Sequence, residues 1–148
     1  MAVNGNGTVT PALGDHSYPE GTIVDISATP ATNLAFVNWT CDVSDNTSAS
    51  TNVTINTNKT VTANFIRTHS TLTVAVHGSG NVTPETGDHT YPVGITANIT
   101  ASPTSGYRFV RWSGNVGTVA NVNSSNTTIT MNGDYTITAN FARIPTKK

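Results

Sequence analysis

Charge is the scarcest feature of this chain. Lys, Arg, Asp and Glu together account for 10% of its 148 residues, the formal net charge is −1, and the basic residues never cluster. A protein that binds nucleic acid needs a basic patch that neutralises phosphates. The composition therefore excludes nucleic acid as a partner.

Cysteine, long apolar runs and catalytic motifs are also rare or missing. Cys41 is the single cysteine, so the sequence offers no internal disulfide and no cysteine-based metal site. No run approaches the roughly 18 apolar residues of a membrane span, so we expect no membrane insertion. The sequence has no nucleophile triad and no glycine-rich phosphate loop before a helix, and we therefore predict no enzyme activity and no cofactor.

The residues that are abundant favour strands. Asn, Thr, Ser and Gly dominate the polar part, whereas Lys and Glu, which favour helices, are few. Hydrophobic residues make up 36% of the chain, and β-branched and aromatic residues recur at regular spacing. This regular spacing predicts an ordered all-β protein, not a disordered polymer.

The chain contains two copies of one pattern. A glycine-rich segment recurs 73 residues later, and the spacing holds through the tryptophans. It becomes 76 at the closing phenylalanines, so copy two has three extra residues, which fall in the Ser/Asn-rich stretch after its tryptophan. The matched positions include Gly5/Gly78, Gly7/Gly80, Asp15/Asp88, His16/His89, Tyr18/Tyr91, Ile26/Ile99, Trp39/Trp112 and Phe65/Phe141. The repeats predict two domains, residues 1–67 and 68–145.

Alternation of apolar and polar residues predicts the strands within each copy. Copy two opens with an alternating strand at 72–76, whose counterpart in copy one would begin before Met1, so we expect copy one to have a shortened first strand. Each copy is predicted to close with a hairpin, turning at Asn132-Gly133 in copy two and at 56–59 in copy one. The short connection between the copies lacks a Gly/Pro hinge, which favours an end-to-end arrangement with limited freedom.

The repeated motif resembles the divergent form of the internalin B-type repeat, also called the bacterial repeat domain. In copy two the motif reads Gly78-x-Gly80-x-Val82, Tyr91-x-x-Gly94, Ala101-x-Pro103-x-x-Gly106-Tyr107-x-Phe109-x-x-Trp112-x-Gly114 and Ile129-x-Met131-x-x-Asp134-x-x-Ile137-x-Ala139-x-Phe141. Copy one departs from it at Asn33, Leu34 and Cys41, which replace glycine, tyrosine and glycine. Because Asn tolerates a left-handed turn conformation, we expect the fold to survive the first of these changes.

The resemblance implies two tandem small antiparallel β modules, β-grasp-like or small sandwiches, that extend or display other domains at a cell surface. It implies no active site and an extracellular location. An immunoglobulin-like sandwich pair is a fold alternative, but such domains have about seven strands and about a hundred residues, more than a 73-residue repeat offers.

The Gly-Asp-His-x-Tyr-Pro element is the one place where an acid, an imidazole and a phenol recur together. It suggests a metal site or acid/base chemistry at Asp88 and His89. Adjacent strand residues point to opposite faces, however, and zinc needs three or four converging ligands. We favour the simpler interpretation, in which the aspartate supports a turn and Tyr91 packs in the core, and we predict no metal.

The aromatic residues are candidates for glycan contact. Trp39, Trp112 and Tyr107 could form a platform that stacks on a sugar face. A module of about seventy residues, however, needs its large apolar side chains for a core. Phe109 and Trp112 are three residues apart, so a regular strand would place them on opposite faces; either a bulge reconciles them or one is exposed.

Two functional hypotheses follow. The leading one is a non-catalytic spacer or stalk in a secreted or surface-anchored protein, monomeric in solution, with neighbouring repeats of the parent protein as its partners. The alternative is an adhesive module that binds cell-surface glycans through exposed aromatic, Asn and Thr residues. Nine Asn-x-Ser/Thr triplets are formal glycosylation sites, although so many Asn, Ser and Thr residues generate the triplet often by chance.

Overall fold

The computed structural model describes all residues 1–148 and contains thirteen strands and no helix, so the all-β prediction is confirmed. No segment forms the long apolar helix that crossing a membrane would need. The chain divides into two compact units, Met1–Thr68 and His69–Lys148. We call them the first and second modules.

The first module has six strands in two sheets. Its strands are β1 (Ala2–Asn4), β2 (Gly7–Thr10), β3 (Thr22–Pro30), β4 (Leu34–Thr40), β5 (Ser50–Ile55) and β6 (Thr62–Arg67). One sheet has the order β1-β6-β4 and the other β2-β3-β5. Alternate residues of β3 are buried, namely Val24, Ile26 and Ala28, as the sequence pattern predicts.

The second module repeats this plan with seven strands. They are β7 (His69–His77), β8 (Gly80–Thr83), β9 (Gly87–Pro92), β10 (Thr96–Pro103), β11 (Tyr107–Gly114), β12 (Asn126–Thr130) and β13 (Tyr135–Arg143). The sheets have the orders β11-β13-β7-β9 and β12-β10-β8. Each module buries one hydrophobic core to which both of its sheets contribute, so each is a small sandwich, one of the two predicted architectures.

The pairing is antiparallel except in one place in each module. The first and last strands pair in parallel, β1 with β6 and β7 with β13. Parallel neighbours need a long connection between them. Here that connection is the rest of the module, which builds the second sheet before the chain returns.

The predicted closing hairpins are wrong. β12 pairs with β10 whereas β13 pairs with β11 and β7, so the Asn132-Gly133 turn carries the chain from one sheet to the other. Neither residue of this turn has the positive φ that the favoured two-residue hairpin turn requires. β5 and β6 likewise lie in different sheets of the first module. The apolar residues on both sides of each turn face each other across the core instead of sharing one face.

The repeated Gly-x-Gly pair allows the chain to cross the end of the last strand. A Cβ atom on Gly78 would lie 2.2 Å from the carbonyl oxygen of Phe141, and one on Gly80 would lie 2.5 Å from Cζ of the same ring. Gly78 also has a φ of 90°, which favours glycine. The backbone between β7 and β8 therefore packs directly on Phe141, and only glycine fits.

The modules differ at their first strands. β7 has nine residues and pairs with both β13 and β9, whereas β1 has three residues and pairs with β6 alone. Residues 15–19, the counterpart of most of β9, form no strand in the first module. β1 is therefore shorter than its counterpart β7.

Candidate functional site

The two tryptophans lie in the centres of the two cores. Trp39 is 2% exposed and Trp112 is 1% exposed. Each indole N–H donates a hydrogen bond to a backbone carbonyl of the following loop, at 2.9 Å to Ser48 and at 3.0 Å to Ser124. Each tryptophan therefore ties the variable Ser/Asn-rich loop to the core, and the three extra residues of copy two lie between its tryptophan and its serine.

A β-bulge places phenylalanine and tryptophan on the same face of one strand. The register of β11 against β13 shifts between Phe109 and Arg111, so Val110 is the additional residue. The rings of Phe109 and Trp112 then meet at 5.7 Å between centroids. The same shift in β4 brings Phe36 to 5.5 Å from Trp39. Of the two alternatives left open by the sequence, the bulge is correct.

This geometry corrects the glycan-contact prediction for the tryptophans. A stacking platform needs an exposed ring face, and the structure buries both Trp39 and Trp112 because the modules use them as core. Tyr107 is half-buried and packs against the second core. The structure therefore does not bring the three predicted residues together as a surface.

The Asp-His-x-Tyr element closes a loop in each module. A ring nitrogen of His89 lies 2.7 Å from the carbonyl oxygen of Glu85, and that of His16 lies 2.6 Å from the carbonyl oxygen of Ala12. The Thr73 hydroxyl donates to the carboxylate of Asp88 at 2.6 Å. Both histidines and Asp88 therefore have hydrogen-bond partners within their own modules.

The tyrosine of this element belongs to the core. Tyr91 packs against the second hydrophobic cluster, and burial raises the pKa of its phenol above the ordinary value of 10.0. Tyr18 occupies the corresponding place in the first module. No three His, Cys, Asp or Glu side chains converge anywhere in the chain to hold a metal ion.

An open groove of about 510 Å³ lies in the first module. One wall is the segment 14–18 and the other is residues 57–61, which lead into β6. Val24, Ile26, Val53 and Ile55 line its apolar floor. In the second module the same position is occupied by β7, which pairs with β13 on one side and β9 on the other. Sequence analysis did not predict this groove.

The comparisons with known proteins bear on the family. A family model described as the divergent InlB B-repeat domain matches the chain twice, over residues 1–69 and 70–145. The chain belongs to this family. Comparison with curated proteins gives no match. Among solved structures, the chain is similar to a mutant of the major pilin from Streptococcus pyogenes, at 9% identity and a TM-score of 0.36 over 90% of this chain and 75% of the pilin.

The first InlB B-repeat tolerates its departures from the family motif in different ways. Asn33 has a φ of 65°, close to the 84° of the equivalent Gly106, so asparagine adopts the left-handed turn conformation as expected. Gly114 has a φ of 96°, and a Cβ there would lie 2.4 Å from the Thr136 carbonyl oxygen. Cys41 takes its place in the first repeat with a φ of 157°. The backbone therefore differs locally, and β4 ends one residue before Cys41.

Proposed function

We propose that this tandem pair of InlB B-repeats is a structural spacer of a secreted or surface-anchored protein, without catalytic activity of its own. The observation that carries the proposal is the use of each candidate functional residue by its own module. Both indoles are core, and both histidines bond a carbonyl four residues earlier in the chain. Because the tryptophans and histidines of each module contribute to its own fold, the modules are suited to supplying length and stability.

The surface chemistry supports the same role. Only 10% of residues are charged, and the exposed polar positions are mainly Asn, Thr and Ser. Such a surface carries no strong field that would attract nucleic acid or a charged membrane. A spacer benefits from this neutrality, because it holds other domains in place without competing for their ligands.

The test is small-angle scattering on the monomeric chain, with its mass checked by sedimentation. A spacer with a stiff junction is expected to give an extended particle with a defined maximum dimension. A variant with a four-residue Gly-Ser insertion after Thr68 is the control, because the insertion leaves both modules intact and loosens the junction. A broader distance distribution for the insertion variant supports the proposal, whereas a compact globule for the natural chain contradicts it.

The carbohydrate-binding alternative is not proposed, because no observation favours it over the spacer. Its strongest residues were the tryptophans, which are buried. Acrylamide quenching of the natural chain checks this point directly. Protected, blue-shifted emission is expected from both indoles, and readily quenched emission would contradict their burial and favour the glycan hypothesis.

A further inference from the structure

The first and last strands of the second module are neighbours in the middle of one sheet. β7 and β13 lie side by side and run in the same direction, with six residue pairs from Leu72 opposite Tyr135 to His77 opposite Asn140. β9 flanks β7, and β11 flanks β13. The chain therefore enters and leaves this module through two adjacent parallel strands.

This pairing decides how tension along the chain acts on the module. Tension pulls β7 backwards from its first residue, His69, and pulls β13 forwards from its last residue, Arg143. Because the strands are parallel, the two forces oppose each other along the strand axis and shear the ladder. All the hydrogen bonds between the two strands then resist together. Antiparallel terminal strands would instead be pulled apart from one end and would lose their hydrogen bonds one after another.

Both loaded strands are also held from their other sides. β7 pairs with β9 over residues 69–74, and β13 pairs with β11 over residues 137–143. The N–H of Thr71 in β7 donates to the carboxylate of Asp134, directly before β13, at 2.8 Å. Neither strand can slide unless two ladders break together.

The core opposes a slip of the two strands to a new register. The inward side chains of Leu72 and Val74 on β7, and of Ile137 and Ala139 on β13, are at most 2% exposed. A slip of one residue, about 3.3 Å, breaks every pair of the ladder and turns buried side chains towards solvent. The barrier to sliding therefore includes the packing of the core as well as the ladder.

We propose that the second module is a mechanical clamp, which resists tension transmitted along the chain through the shear of β7 against β13. Its biological use rests on the proposed spacer function, because a spacer between a surface and another domain transmits the force that acts between them. Mechanical resistance is a kinetic property, set by the rate of unfolding under force and not by the free energy of unfolding. The first module also pairs its first and last strands in parallel.

The test is single-molecule force spectroscopy on the full chain with two directions of pulling. Handles are attached through introduced cysteines in a Cys41→Ser background. Thr68→Cys with Ile144→Cys places the handles on either side of β7 and β13 and loads the two strands in shear. Ser79→Cys with Ile144→Cys places the handles at the neighbouring ends of the same strands, so that the force peels the ladder. In both pairs the first module lies outside the path of the force.

The unfolding force is expected to be several times higher in shear than in peeling. In shear the whole ladder breaks within about 3.3 Å of movement, whereas peeling spreads the same bonds over about 40 Å of released strand. The length of chain released between the handles identifies each unfolding event. Urea unfolding is expected to give the same free energy for both double-cysteine chains, so the difference in force is not a difference in stability.

Two matched substitutions in the shear geometry locate the barrier. Ile137 lies on β13 and Ile99 on β10 of the other sheet, and both are 0% exposed. Ile137→Val and Ile99→Val each remove one methylene group from the same core and are expected to lower stability by similar amounts. Ile137→Val is expected to raise the rate of unfolding under shear several-fold. Ile99→Val is expected to leave that rate nearly unchanged, because β10 is still packed when the ladder yields.

Equal forces in the two directions, or a lower force in shear, would overturn the inference. An equal rise in the unfolding rate for Ile137→Val and Ile99→Val would also overturn it, because rupture would then not begin between β7 and β13. The spacer proposal is judged separately by scattering. A weak shear force in an extended chain contradicts the clamp alone, whereas a strong shear force in a compact chain contradicts the spacer alone.

Discussion

At the scale of single residues, contact with a phenylalanine ring in each module requires glycine at the second position of the Gly-x-Gly motif. Gly80 lies against the ring of Phe141, and Gly7 lies in the same way against Phe65, where a Cβ would meet Cζ at 2.6 Å. Neither glycine has a positive φ, so space and not backbone conformation excludes a side chain here. The ring is itself held by Phe109, 6.0 Å away between centroids, and has little room to move.

Gly80→Ala is therefore expected to destabilise the second module by about 2 kcal/mol, the typical cost of inserting a methyl group into a packed core. Gly117→Ala is the matched control, since a Cβ there has no neighbour within 4 Å and the residue has no positive φ. Its effect on the free energy of unfolding is expected to stay within about 0.5 kcal/mol. Urea unfolding measures the free energy of unfolding of both variants. Equal values for the two would contradict the prediction and show that the Phe141 ring moves to make room for the added methyl group.

Asp45 organises the variable loop of the first module through its carboxylate. The side-chain hydroxyl and the N–H of Thr47 donate to it at 2.7 and 2.8 Å, and the N–H of Ser48 donates at 3.2 Å. The Thr47 hydroxyl is the largest cause of a pKa below the ordinary value of 3.8 for this carboxyl. In the second module Asn121 accepts the equivalent bond from Asn123 with a neutral amide.

The lowered pKa predicts a pH dependence with a definite sign. A carboxyl whose folded-state pKa is depressed stabilises the fold above its unfolded pKa, and this contribution is lost as the pH falls through the folded-state value. The Asp45 carboxyl is expected to titrate below pH 3.8 by NMR, and Thr47→Ala is expected to raise its pKa. Asp45→Asn, which copies the second module, is expected to remove this acid sensitivity. Titration of Asp45 at or above its ordinary value would contradict the assignment.

At the scale of strands, the bulge in β11 is an added residue in an otherwise regular ladder. Phe109 pairs with Phe141 and Arg111 pairs with Asn140, so a strand without Val110 would alternate regularly and still place Phe109 and Trp112 inward. Val110 itself is 38% exposed and contributes no core contact of its own. The bulge therefore accommodates Val110 and leaves Phe109 and Trp112 on the core face.

Deleting Val110 is expected to leave a folded module with a blue-shifted Trp112 emission and to lower the free energy of unfolding by about 1 kcal/mol. Deleting Ser113 is the contrasting variant, because it moves a residue with a Cβ into the place of Gly114, 2.4 Å from the Thr136 carbonyl oxygen. That variant is expected to lose about 3 kcal/mol or more. Fluorescence and urea midpoints in a Trp39→Phe background distinguish the two, and a red-shifted emission on deletion of Val110 would contradict the register argument.

Local alternation predicted the strands but not all of their partners. The pattern around β3 and β10 gave the correct buried faces, since alternation reports which side of a strand is apolar. The same pattern around Asn132 and Gly133 suggested a hairpin, because two strands facing each other across a core have the same alternation as two strands in one sheet. Sequence alone does not separate these cases when the turn is short.

At the scale of the whole molecule, the repeat predicted the two modules and the tryptophan equivalence, but not the groove of the first module. Burial of Trp39 and Trp112 was favoured from module size, since so few large apolar residues were available. The groove of the first module lies at the position that β7 occupies in the second module. Its location required the pairing of β7 with β13 and β9, which no local pattern encodes.

The same asymmetry predicts that the first module is the less stable one. Twelve buried residues form the second core and eight form the first, and Ile55 is half-buried where Met131 is covered. The first module also lacks the strand pairs of residues 15–19. Covering one leucine-sized side chain and its neighbour is worth about 3 kcal/mol, which sets the scale of the difference.

Single-tryptophan variants report the unfolding of each module while the sequence of that module stays unchanged. Trp39→Phe leaves Trp112 as the reporter of an unchanged second module, and Trp112→Phe leaves Trp39 as the reporter of an unchanged first module. Urea unfolding followed by emission is expected to give a lower midpoint in the Trp112→Phe chain. Because that chain carries its substitution in the other module, the low midpoint belongs to the natural first module. Coincident midpoints in the two variants, or a higher one for the first module, would mean that the open groove costs the first module little stability.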